Sequence, residues 1–71
     1  MGGDNTSIIE NITLELGQGK VRNVTYKNCT FTKCTRTLFD NCKFVNCTIN
    51  HDRHTKFKNC DISDDSTINS I

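Results

Sequence analysis

Three segments of the chain read alike, and this repetition limits the fold more than any other feature of the sequence. They cover residues 24–31, 37–44 and 55–62, and each ends in Asn-Cys, one polar residue and one apolar or aromatic residue. Within them, apolar or small residues recur at spacings of two and three. This pattern is neither the helical period nor the plain alternation of a single strand. Self-similarity at a fixed period is typical of solenoids.

Written in rows of 18 residues (16–33, 34–51 and 52–69), the sequence forms vertical columns of similar residues. The predicted inward columns are Val21/Phe39/Phe57, Val24/Cys42/Cys60, Tyr26/Phe44/Ile62 and Phe31/Ile49/Thr67. A further column contains only Asn (Asn23, Asn41 and Asn59) and predicts a ladder of side-chain amides at a turn. Such columns arise when each coil lies directly on its neighbour, about 4.8 Å away. We therefore predict an all-β fold, a small β-solenoid (β-helix) of about three 18-residue coils over residues 16–69.

Composition agrees with this class of fold. The chain has no Ala, Pro or Trp, which argues against a helical bundle, and 34% of its 71 residues are hydrophobic. We expect an N-terminal cap segment over residues 1–15, with its Ile and Leu side chains covering the first coil. The last coil should expose an unpaired strand edge, so we predict a homodimer in which two copies cover each other's ends. No apolar run of about 18 residues is present, so we expect a cytoplasmic protein without membrane contact.

The repeat resembles the pentapeptide-repeat family, in which a small inward residue precedes a central inward Leu or Phe by two positions. The pairs that carry the resemblance, over about residues 14–64, are Gly19/Val21, Val24/Tyr26, Cys29/Phe31, Thr37/Phe39, Cys42/Phe44, Cys47/Ile49, Thr55/Phe57 and Cys60/Ile62. Coils of that family contain four groups of five residues. Here three groups of five are followed by a three-residue corner (residues 34–36 and 52–54, which include Cys34, Arg36 and Arg53), so we expect a three-sided cross-section. Some members are acidic DNA mimics that inhibit topoisomerases, and this chain lacks their acidic character.

The inward columns define the outward positions, and two outward faces differ in charge. The charged face consists of Lys20, Arg22, Leu38, Asp40, Lys56 and Lys58. The threonine face consists of Thr30, Thr32, Thr48 and Asn50, followed by Ser66 and Ile68, and is predicted to carry no charge. We predict partner binding at Lys20, Arg22, Asp40, Lys56 and Lys58. We predict a dimer or contact face at Thr30, Thr32, Thr48 and Asn50, where a Thr array could alternatively bind ice.

Five Cys and two His residues suggest a zinc site at first sight. However, four of the Cys (Cys29, Cys42, Cys47 and Cys60) occupy the inward small-residue position, where Cys acts as a compact apolar residue. We therefore predict core thiols and no metal, with Cys47, His51 and His54 as the best alternative ligands. Stacking also brings Cys29 near Cys47 and Cys42 near Cys60, but a reducing cytosol disfavours disulfides.

No phosphate-binding glycine loop is present, and a narrow solenoid offers no cleft. We therefore predict a protein that is not an enzyme, uses no cofactor and binds another macromolecule, with a protein as its target. The absence of Ala and Pro among many Asn, Lys and Ile suits an AT-rich phage genome. This composition suggests a small viral inhibitor of a host protein or complex, of the anti-CRISPR or anti-defence type, acting in the host cytoplasm. The alternatives are a nucleic-acid-binding module using the basic face, and a structural tip or cap of a fibrous assembly.

Overall fold

The computed structural model of the protein describes residues 7–71, and these residues form eleven short β-strands and no helix. The strands are β1 (Ser7–Glu10), β2 (Thr13–Leu16), β3 (Gly19–Arg22), β4 (Val24–Lys27), β5 (Thr30–Cys34), β6 (Thr37–Asp40), β7 (Lys43–Val45), β8 (Thr48–His51), β9 (Lys56–Lys58), β10 (Asp61–Ile62) and β11 (Thr67–Ser70).

Successive strands visit three parallel sheets in turn, which gives a three-sided β-solenoid. Sheet A has the order β1-β4-β7-β10, sheet B has β11-β8-β5-β2, and sheet C has β3-β6-β9. Thr25 lies opposite Lys43 in sheet A, and Leu38 lies opposite Lys56 in sheet C, both 18 positions apart. The predicted β-solenoid and its 18-residue repeat are therefore confirmed. All strand pairs are parallel, so every coil lies in the same direction on the one before it.

The solenoid has about four turns, one more than the three predicted coils. Strand β1 pairs in parallel with β4, and β2 pairs with β5, so residues 7–16 extend sheets A and B. The predicted N-terminal cap over residues 1–15 therefore contains two solenoid strands. Residues 1–6 of that segment lie outside the described residues.

The corners are built from residues with left-handed backbone conformation, and Asn holds six of these seven positions. At the corner between sheets C and A the residues are Asn23, Asn41 and Asn59, and between sheets A and B they are Asn11, Asn28 and Asn46, with φ between 52° and 58°. Asn tolerates this conformation better than other residues with a Cβ atom. The seventh residue, Arg36 (φ 49°), lies between sheets B and C.

Two ladders of Asn side chains tie consecutive coils together at these corners. The Asn41 amide nitrogen donates to the Asn23 side-chain oxygen at 2.7 Å, which confirms that part of the predicted ladder. A second ladder joins Asn46 to Asn28, also at 2.7 Å. Both bonds are exposed, so their main effect is to hold adjacent corners in register.

Five of the seven left-handed positions are followed by a Cys or a Thr, which supplies a hydrogen-bond donor as well as small volume; the other two are followed by Ile12 and Val24. The thiol of Cys47 donates to the carbonyl oxygens of Tyr26 and Val45, both at 3.3 Å. The Thr37 hydroxyl does the same at another corner, donating to the Gly17 carbonyl at 2.8 Å. Either Cys or Thr can therefore occupy this position, because each is compact and each can donate a hydrogen bond to a carbonyl of the preceding coil.

Stacked aromatic rings fill the interior. Phe31, Phe39 and Phe44 are fully buried, and Tyr26 is nearly so. Tyr26 lies parallel to Phe44, with ring centroids 5.4 Å apart, because these two residues face each other in sheet A. The remaining close pairs within this group meet edge to face, such as Phe39 and Phe44 at 5.2 Å.

The predicted register is wrong in the last coil. Thr67 lies opposite Thr48, and Ile68 lies opposite Ile49, so Ile68 occupies the inward column that was predicted for Thr67. The cause is a turn between β10 and β11 that lengthens this coil to 19 residues. Its Ser63 hydroxyl and Ser66 hydroxyl accept hydrogen bonds from the backbone N–H groups of Asn46 and Cys47 respectively, both at 3.0 Å.

Candidate binding surfaces

The charged face is assembled on the outer side of sheet C as the sequence predicts. Its residues form two columns, Lys20/Leu38/Lys56 and Arg22/Asp40/Lys58. The four cationic side chains are exposed, whereas Leu38 and Asp40 in the middle strand are half-buried. At about 4.8 Å per coil, cations of the outer strands stand about 10 Å apart across the middle strand.

The central carboxylate forms one ion pair in this face. Oδ2 of Asp40 lies 3.8 Å from Nε of Arg22, and no other ion pair within 4.0 Å is present among residues 7–71. The predicted position of Asp40 between Arg22 and Lys58 is correct, since Asp40 also lies opposite Lys58 in β9. The pair is exposed enough for water to screen it, so its effect on stability is small.

The corner between sheets B and C, called the BC corner below, adds positive charge directly beside the charged face. It comprises residues 17–18, 35–36 and 52–55, and it presents the exposed side chains of Arg36, Arg53 and His54. The Arg36 carbonyl accepts from the Gly19 N–H at 3.3 Å, immediately before Lys20 in β3. The BC corner and the charged face are therefore one continuous surface.

Asp52 organises this corner. Its Oδ1 accepts hydrogen bonds from the backbone N–H of Arg36 (3.2 Å), the backbone N–H of His54 (3.1 Å) and the Thr55 hydroxyl (2.9 Å). Desolvation at the corner opposes ionisation, but these bonds outweigh it and lower the pKa of Asp52 below its usual value of 3.8. The carboxylate thus joins two consecutive coils and positions the backbone that carries Arg36 and His54.

The threonine face lies on sheet B, with a column of four Thr residues (Thr13, Thr30, Thr48 and Thr67). Thr32 forms part of a bulge in β5, and its hydroxyl donates to the Leu14 carbonyl at 3.3 Å. Asn50 donates to the Phe31 carbonyl at 3.2 Å. The polar groups of Thr32 and Asn50 are therefore already bonded within the molecule.

Two predictions about the threonine face are wrong. Exposed Glu15 and Lys33 lie opposite each other in sheet B, so the face carries a charge pair near the BC corner. Ile68 belongs to the inward column of the last coil, where it is 36% exposed. Both errors follow from changes in coil length, at the β5 bulge and at the turn before β11, which rows of constant length cannot represent.

The Cys and His residues do not form a metal site in the part of the chain that the structure describes. No group of three or more His, Cys, Asp or Glu is arranged to hold a metal ion there. Among the alternative ligands, Cys47 is buried and bonded to carbonyl oxygens, while Nδ1 of His51 donates to the Asp52 carbonyl at 2.7 Å. The His51 ring packs edge to face on Phe57, and His54 is exposed.

Burial keeps the interior thiols protonated. All five Cys are free, and Cys34, which was predicted at a corner, is fully buried. Desolvation, with a smaller contribution from the Asp52 charge, raises the pKa of Cys34 to about 11. Desolvation also raises the pKa of Cys42 and of Cys47. Because the thiolate is the reactive form, these three side chains are poor nucleophiles at neutral pH.

Residues 7–71 contain no pocket. This part of the chain also has no helix with the length and apolar character needed to cross a membrane.

No family model matches the chain, and no curated protein matches it either. The class that the fold defines is a three-sided β-solenoid with parallel coils of about 18 residues.

Sequence reasoning found the charged face but missed its continuation. Arg36 and Arg53 were placed at corners and left out of the predicted site, although the BC corner precedes sheet C in every coil. The sequence does indicate this continuation. Arg36 lies two positions before Leu38 and Arg53 lies three before Lys56, so both Arg residues come just before strands of the charged face. The role of Asp52 in organising the corner is less evident from the sequence, in which Asp52 stands out only as an Asp three positions before Thr55.

Proposed function

We propose that the chain is a non-enzymatic binding protein that recognises an acidic protein surface through its charged face. The observation that carries this proposal is the arrangement of Lys20, Arg22, Lys56 and Lys58 around Asp40 on a flat, regular sheet. Such a face gives electrostatic steering and specificity.

The rigidity of the scaffold supports binding. Neighbouring coils are joined by ladder hydrogen bonds, Asn ladders and corner bonds, so the charged side chains project from a backbone that is already ordered. Ordering a binding surface in advance reduces the conformational entropy lost on association. An inhibitor that blocks a host protein or complex, of the anti-defence type, is the specific form of this proposal, and the phage-like composition supports it.

Nucleic acid is the second candidate, because four exposed cations lie on one face. Two observations weigh against it. Tyr26, Phe31, Phe39 and Phe44 point inward, so they offer no ring on which a base could stack. Asp40 lies in the middle of the face and repels a regular row of phosphates, whereas an acidic protein segment can place an uncharged or basic side chain opposite Asp40.

The test applies one lysate of the source organism or its host to three immobilised proteins and compares what each retains. They are the wild type, Lys56→Glu/Lys58→Glu, and a control with the same charge change on sheet A, Lys27→Glu/Lys43→Glu. We expect a partner to be retained by the wild type and the control and to be lost from the charged-face variant. The purified partner should then bind with the same ranking in isothermal titration calorimetry. A partner that is retained equally by all three proteins would contradict the proposal. Retention of nucleic acid alone from the lysate would also contradict it.

A further inference from the structure

The cationic surface extends beyond the charged face, and the distribution of charge over the whole molecule shows this. The charged face and the BC corner together carry six Lys and Arg against two Asp, a formal net charge of +4. The rest of the chain carries three Lys against six carboxylates, a net charge of −3. The overall charge of +1 is therefore the sum of a cationic region with a charge of +4 and a remainder with a charge of −3.

The hydrogen bonds of the BC corner place its cations beside those of sheet C. The Arg36 N–H donates to Asp52 of the next coil (3.2 Å), and the Thr37 N–H donates to the Thr55 hydroxyl (3.3 Å). These bonds stack the 35–36 turn on the 52–55 turn, so Arg36 lies above the turn that carries Arg53 and His54. Strands β6 and β9 begin at once after these turns.

The charge of the corner carboxylate is already counted in the net charge of +4, and the carboxylate is engaged within the corner itself. Oδ1 of Asp52 is bonded to two backbone N–H groups and a hydroxyl, and it holds them in place. Lys33, by contrast, lies opposite Glu15 and is locally balanced, so we exclude it from the surface.

We propose that Arg36, Arg53 and the charged face form one cationic band that wraps the edge between sheets B and C and binds an acidic protein segment across that edge. This inference rests on the proposed function and adds to it the corner residues and the shape of the partner. A segment rich in Asp and Glu can follow a bent surface, and its carboxylates can form bidentate contacts with the two Arg side chains. A flat partner would reach only the charged face.

The test uses three variants that each remove two positive charges. Lys56→Gln/Lys58→Gln alters the charged face, Arg36→Asn/Arg53→Gln alters the corner, and Lys27→Gln/Lys43→Gln is the control on sheet A. Asn at position 36 keeps a residue that tolerates the left-handed backbone. The probe is a fluorescein-labelled peptide of 20 residues alternating Glu and Ser, and fluorescence anisotropy measures its Kd at low salt. Circular dichroism verifies that every variant is folded.

We expect the face and corner variants each to weaken binding by about 5- to 10-fold, from two lost ion pairs apiece, while the control changes it by less than about twofold. A corner variant that binds like the control would overturn the band and leave the proposed function standing. Equal binding by all four proteins, or no binding by the wild type, would overturn both. A 20-base-pair DNA duplex that binds more tightly than the peptide would replace the acidic protein with nucleic acid as the partner.

Discussion

The aromatic stack should account for most of the stability of this small protein, and Phe44→Ala tests that. Phe44 is fully buried and has ring neighbours on both adjacent coils and within its own, including Phe39 at 5.2 Å and Phe57 at 5.9 Å. Removing a buried Phe side chain costs about 3–5 kcal/mol, from lost transfer energy and from the cavity left behind. A 71-residue domain has a free energy of unfolding of about 4–11 kcal/mol in total. The substitution should therefore remove a large part of it.

Urea unfolding followed by far-ultraviolet circular dichroism and by the fluorescence of Tyr26 measures this loss. With a denaturant slope of about 1 kcal/mol per molar urea, the midpoint should fall by about 3 M or more. The two signals should coincide in the wild type if the coils unfold together. Phe44→Asp should have a larger effect and leave the protein unfolded, because it places a charge in the stack.

Phe57→Ala is the matched control, since it removes the same type of side chain from the next coil, on sheet C. Phe57 stacks on Phe39 at 5.1 Å but is only half-buried, so its removal should cost about half as much. If Phe57→Ala destabilised the protein more than Phe44→Ala, or if Phe44→Ala cost less than about 1 kcal/mol, the inward register of sheet A would be wrong.

Three further perturbations address the corners and the threonine face. Because the hydrogen bonds of the fold hold the pKa of Asp52 below 3.8, its contribution to stability is present above pH 3.8 and is lost as pH falls below 3.8 through the lower folded pKa. Asp52→Asn should therefore reduce the dependence of the melting temperature on pH below 3.8, and an unchanged pH dependence would contradict this role. Cys47→Ser should keep both carbonyl bonds and melt closer to the wild type than Cys47→Ala, which leaves the Tyr26 carbonyl without this donor; higher stability of the Ala variant would contradict the donor role. If the threonine face is the contact surface of the predicted homodimer, Thr48→Arg should convert a dimer to a monomer in analytical ultracentrifugation while the far-ultraviolet circular dichroism spectrum stays that of the folded chain, and an unchanged dimer would assign the contact to another surface.

The coil architecture could be predicted from the sequence because one physical pattern repeats in it. A left-handed corner favours Asn, the next position favours a compact donor, and the position two further on favours a large apolar side chain. Asn41, Cys42 and Phe44 show all three in order, and the strands lie where the rows place them. The charged face followed from the same register.

The predictions failed where a coil changes length, because a row of constant length shifts every later residue. The bulge in β5 adds Thr32, and the turn before β11 adds one residue, so Thr67 and Ile68 exchange roles. The turn from Ser63 to Ser66 has no residue in the left-handed conformation. Its side chains instead bond the backbone of the preceding coil, at Asn46 and Cys47. This substitution of one kind of corner for another is a tertiary effect that local spacing does not reveal.

The same reasoning explains why this chain uses Cys so often at inward positions. Most corners combine a tight turn with a carbonyl of the preceding coil that accepts a hydrogen bond, and a small residue with a donor suits both. Thr37 and Thr55 fulfil this requirement at the BC corner with hydroxyls, and Cys29, Cys42, Cys47 and Cys60 fulfil it elsewhere with thiols. A thiol is the weaker donor but is less costly to bury than a hydroxyl, so it suits corners that face the aromatic stack.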